Sequence, residues 1–124
     1  MCLISKSKFP TIAKSNITVY KVLKSDFTSL YYFFPYELNK LYEENEDIRY
    51  DTHYRDVDVF SFSKNWIHSY TNKKIAKNYI KGKLILVKCI IPKGTMYHKD
   101  INNKEICSKK IKITEVCSPE IKII

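Results

Sequence analysis

The stretch LILVKCIIPKGTMY, Leu84 to Tyr97, opens with eight residues of which seven are apolar, and then turns. Leu84–Ile91 is too short and too β-branched for a buried helix, and Gly82 and Pro92 bound it. It is therefore predicted to be a central strand, buried on both faces. Cys89 lies inside it and reads as a small buried hydrophobe. Pro92 and Gly94 are the second and fourth residues of IPKG, a pattern that suits a type I turn.

Working outward, ITVYKVLK (Ile17–Lys24) is β-branched and apolar, a predicted strand. VDVFSFS (Val57–Ser63) alternates and reads as another. KKIKITEV sets Lys110, Lys112 and Thr114 against Ile111 and Ile113, a half-buried strand with a basic outer face. LYYFF (Leu30–Phe34), closed by Pro35, and the terminal EIKII read as extended. NKKIAKNYIKGK places Ile75, Ala76, Tyr79 and Ile80 on one stripe, an amphipathic helix ending near Gly82. YELNKLYEE fits either a short helix or a turn around Asn39. KNWIHSYT reads as a turn, residues 1–16 as an extended lead-in, and residues 43–58 as an acidic surface loop. The fold class expected is α+β: one domain over residues 1–124, a mainly antiparallel sheet and one or two short helices.

Charge divides the chain. Residues 1–62 carry eight basic and nine acidic side chains, whereas residues 63–124 carry fourteen lysines and four acids. This asymmetry points to a dipolar molecule with one basic face. Arginine occurs only at positions 49 and 55. Lysine is a point charge without the planar fork that reads base edges, so this surface suits general attraction to anions.

The four cysteines, at positions 2, 89, 107 and 117, contain no CxxC pair, which argues against a zinc ribbon. No apolar leader opens MCLISKSKFP and no apolar run reaches membrane-spanning length, so a reduced, cytoplasmic protein without a membrane partner is expected. His53, His68 and His98 stand apart in polar contexts, without the spacing of metal ligands, and no metal is expected. Two glycines cannot build a dinucleotide fingerprint or a P-loop. Aromatic residues interleave with lysines, as at Tyr20–Lys21, Trp66 and Tyr70 with Lys73 and Lys74, a combination able to stack bases and attract phosphate.

The order VYKVL, FSFSKN, KKIAKNY, LILVKCIIPKGT and EICSKKIKI resembles that of the ADP-ribosyltransferase fold over about 100 residues. The resemblance implies an NAD site lined by Tyr20, Lys21, Ser61 and Ser63. This sequence departs from that family at two places: Lys21 stands where it carries Arg or His, and Ser108 stands near where its catalytic Glu would be. The chain also looks like small phage and prophage proteins that share YKVL, FHSF-like and CIIPKGT-like segments, which implies a mobile-element origin.

The leading expectation is a non-enzymatic, phage-encoded binding protein, without a cofactor, for an anionic partner: a nucleic acid, a nucleotide ligand, or a host nucleoprotein or defence nuclease that it inhibits. Binding would rest on Lys73, Lys74, Lys77, Lys110 and Lys112, with Trp66 beside them. The alternatives are an ADP-ribosyltransferase-like enzyme that uses NAD and a structural protein that oligomerises through a sheet edge.

Overall fold

Two long strands organise the chain. In a computed structural model that describes residues 3–29, 35–44, 50–62, 66–80 and 84–117, β3 (Ile17–Lys24) pairs antiparallel with β8 (Leu84–Ile91). Their register runs unbroken from Ile17↔Ile91 to Lys24↔Leu84. On its other side β8 pairs with β11 (Lys110–Val116), so it is an interior strand, as its apolar run requires. Val87, Cys89 and Ile91 point into the core and are fully buried. On the opposite face only Leu86 is buried, while Lys88 and Ile90 are half-exposed. The expectation of burial on both faces therefore holds at one position of that face.

The main sheet has eight strands in the order β2-β9-β10-β7-β3-β8-β11-β4. Its other members are β2 (Thr11–Ile12), β4 (Leu41–Glu43), β7 (Ile67–Tyr70), β9 (Met96–Lys99) and β10 (Glu105–Ser108). Only Lys109 separates β10 from β11, yet the two lie four places apart in the sheet. One bent strand thus serves both sides, and the sheet curls around a single core. Ile106 of β10 and Ile111 of β11 both pack there with Val19, Leu23, Val87 and Cys89. Ser108, fully buried at the bend, donates its hydroxyl to the Lys110 carbonyl at 3.0 Å.

A three-stranded sheet, β1 (Leu3–Ser5), β6 (Val59–Phe62) and β5 (Thr52–Tyr54) in the order β1-β6-β5, covers part of the outer side. Leu3, Phe60 and Phe62 pack there on Trp66, Cys107 and Met96. The start of the chain is thereby corrected from a lead-in to part of the fold: Leu3 is fully buried, and β2 pairs with β9. The acidic stretch 43–58 is likewise not all loop, since β5 lies within it and pairs with β6 just beyond.

KNWIHSYT is a second correction. Ile67–Tyr70 is strand β7, entered through Trp66 at φ 58°, not a turn. Around Asn39, at φ 60°, the chain turns and then forms β4, which settles that segment against a helix. The helix α1 is short, Lys73–Lys77, with the Asn72 side chain accepting from the Ile75 N–H at 2.8 Å. The next residues tighten, with Tyr79 and Ile80 N–H groups bonding three residues back. Among the described residues the fold is thus mostly antiparallel sheet with one short helix.

The turn after β8 also differs from expectation. Thr95 N–H bonds to Pro92 C=O at 3.1 Å, which makes Gly94 the third residue, and its φ is 89°. Positive φ at that position alone marks a type II turn. The expected strand at Leu30–Phe34, the helix end at Gly82 and the extended EIKII lie outside the described residues. No helix among the described residues is long and apolar enough to cross a membrane.

Candidate functional site

Strand alternation sends neighbours to opposite faces. On β3, Val19 and Leu23 enter the core and Lys21 goes with them, while Tyr20 and Val22 face outward toward α1. On the outer face Tyr20 stands directly opposite Tyr70 of β7 and Lys88 of β8. Two residues along, Thr18, Ile90, Lys112 and Leu41 form a row across β3, β8, β11 and β4. Helix α1 seats Ala76 and Ile75 on Val22, Leu86 and Tyr70, leaving Lys74 and Lys77 exposed. Tyr79 stacks on Tyr70, with ring centroids 4.8 Å apart and planes inclined by 16°. It remains 48% exposed, so the apolar stripe expected for the helix excludes it.

This face is basic but bounded by acids. Lys110 stands opposite Glu43, with Nζ 4.0 Å from Oε1. A bulge between Ile113 and Glu115 sets Glu115 opposite Lys88. Lys112 has Ile90 and Leu41 opposite it instead. From β7 to β11 the face spans three strand spacings, about 14 Å.

The interior holds a second set of polar groups. The Lys21 ammonium donates to the His68 carbonyl and lies 5.6 Å from the centre of the Tyr36 ring. Loss of water holds its pKa down at about 8, a shift only partly opposed by nearby Cys89. Burial pushes the Cys89 thiol up to about 12, against the pull of Lys21. Burial also lifts the Tyr36 hydroxyl well above its ordinary value. His98 and Cys107 face each other across β9 and β10. Burial lowers His98 to about 4 and raises Cys107 to about 12. Both are therefore neutral at pH 7, whereas a thiolate nucleophile needs the opposite shift. His98 instead stacks on Phe62 at 4.2 Å, corrected from a polar loop to the core. Among the described residues no group of three or more His, Cys, Asp or Glu side chains is placed to hold a metal ion.

The residues singled out from the sequence accordingly separate. Tyr20 and Lys21 point to opposite faces, and Ser61 is buried in the small sheet against β1 and β5. These three do not line one pocket, and Ser63 lies outside the described residues. Trp66, expected at a binding surface, is 5% exposed and packs under the small sheet. Lys73, Lys74 and Lys77 on α1 and Lys110 and Lys112 on β11 do share the outer side of the main sheet. Lys88, Ile90 and Tyr79 complete that face and were not singled out. Lys88 did leave a signal: it is the one charge in an otherwise apolar strand, and it marks where that strand's outer face emerges.

No family model matches the chain, and no curated protein or solved structure does. The functional reading rests on this geometry.

Proposed function

We propose that the protein is a non-enzymatic binding protein whose outer face, formed by α1, β3, β8 and β11, takes an anionic partner. The observation that carries this reading is the placement of Lys74, Lys77, Lys88 and Lys112 on one side of the sheet beside a half-exposed tyrosine. Screening over a Debye length of about 8–10 Å makes the attraction of a polyanion to such exposed charges dependent on salt.

Heparin-column elution and anisotropy with a labelled polyanion test the reading. Affinity is expected to fall steeply with salt. Lys112→Glu is expected to weaken binding more than Lys110→Glu, because Glu43 already offsets Lys110. Equal effects, or binding insensitive to salt, would count against this face.

A further inference from the structure

We propose that the polyanion is single-stranded nucleic acid, held by base stacking on Tyr79 and against Tyr20, with phosphates on Lys74, Lys77 and Lys112. This inference rests on the outer face being the anionic-partner site.

Charge alone does not choose between a duplex, a single strand and an acidic protein. The aromatic rings make the choice. Tyr79 is already fixed against Tyr70, at 4.8 Å and 16°, yet stays 48% exposed. A ring held in place gives up little freedom when a base stacks on it. Tyr70 is itself buried and stands opposite half-buried Tyr20, so Tyr79 offers the exposed ring and Tyr20 a partly open one across a covered tyrosine. Unpaired bases can reach such a surface, whereas bases inside a duplex are occupied by their neighbours.

The charged groups fit the same ligand. Lysines follow a phosphate chain as point charges, without the arginine fork that reads base edges. Among the described residues the one arginine, Arg55, lies outside α1, β3, β8 and β11. The site is therefore expected to tolerate any sequence. Glu115 opposite Lys88 and Glu43 beside Lys110 flank Lys112 on β11, so phosphate on that strand is confined to Lys112, which faces Ile90 and Leu41 instead of an acid. A face about 14 Å across the strands accommodates a few nucleotides.

The experiment is fluorescence anisotropy of the full chain with labelled oligothymidylate, oligouridylate, a duplex of the same length, and heparin. Single strands are expected to bind more tightly than the duplex at equal salt. Three phosphate contacts give a log–log salt slope of about −2. Tyr79→Ala is expected to cost single-strand affinity about tenfold and leave heparin binding unchanged. Tyr79→Phe, which keeps the stacking surface, is expected to retain it. Thermal melts of both variants check that Tyr79 has not been needed for folding. Equal affinity for duplex and single strand, with Tyr79→Ala silent, overturns this inference and leaves the basic-face reading standing. No binding to heparin or to any nucleic acid overturns both.

Discussion

Tyr20 and Lys21 are adjacent, and the pleat alone gives them opposite surroundings. Tyr20 joins the outer row with Tyr70 and Lys88, while Lys21 enters a core of Val19, Val87 and Cys89. There its ammonium meets a carbonyl and a tyrosine ring, and no ion pair to it occurs among the described residues. A buried charge without a counter-ion opposes folding. Its folded pKa of about 8 lies below the ordinary lysine value of 10.5, so between those limits the unfolded chain binds more protons. The contribution of Lys21 to stability is thus present above pH 10.5 and is lost as pH falls through 8. Lys21→Met is expected to stabilise the protein at pH 7 by about 1–3 kcal/mol in urea titrations. The gap between the two proteins should narrow by pH 10. A destabilised variant would mean that the His68 contact outweighs desolvation.

At the scale of elements, the turn after β8 shows how little sequence context separates two turn types. Composition suited a type I turn with Gly94 last. The observed turn closes one residue later because it is tied to the start of the chain: Gly94 N–H bonds Ala13 C=O at 2.8 Å, and Ala13 N–H bonds Thr95 C=O at 2.9 Å. A Cβ at Gly94 would meet nothing within 4 Å, so the cost of substitution is conformational, from its φ of 89°. Gly94→Ala is expected to lose about 1–2 kcal/mol, and Gly94→Asn less, since Asn visits positive φ more readily. Thermal denaturation of the pair checks this, and equal losses would point to something other than backbone strain. Strand β7 illustrates a different limit. Its inward residues are Ile67 and Ser69, and Ser69 is 1% exposed. A serine and a histidine in a four-residue strand supply too little apolar alternation for a strand to be read.

For the molecule as a whole, the consequential feature is the chain that begins as β10 and continues as β11. It joins distant strands of the sheet, curls it around one core, and leaves an outer side to be covered by α1 and the small sheet. That cover includes β1, Leu3–Ser5. Leu3→Ala is expected to destabilise by about 2–4 kcal/mol, the range for a truncated core leucine. A near-zero effect in urea titration would restore the view of residues 1–16 as a lead-in.

The strands β3, β8 and β11 were legible because each carries an apolar or alternating run long enough to declare its period. The basic character of the second half was equally plain, since charge is a sum over residues and needs no fold. The lysine positions Lys110 and Lys112 were readable as an outer face for the same reason: period two in a strand determines facing. Other features depended on partners far along the chain. Burial of Leu3, Trp66 and His98 comes from the small sheet closing over β9 and β10. The join of Tyr79 to Tyr70 and Tyr20, and of Lys88 to Lys112, comes from the order of strands in the sheet. The amino-acid sequence by itself determined which strands form, which way their residues alternate, and that the protein is basic. Only the tertiary structure decided which lysines stand together beside exposed aromatic surface and which one is enclosed, because long-range pairing leaves no local period in the sequence.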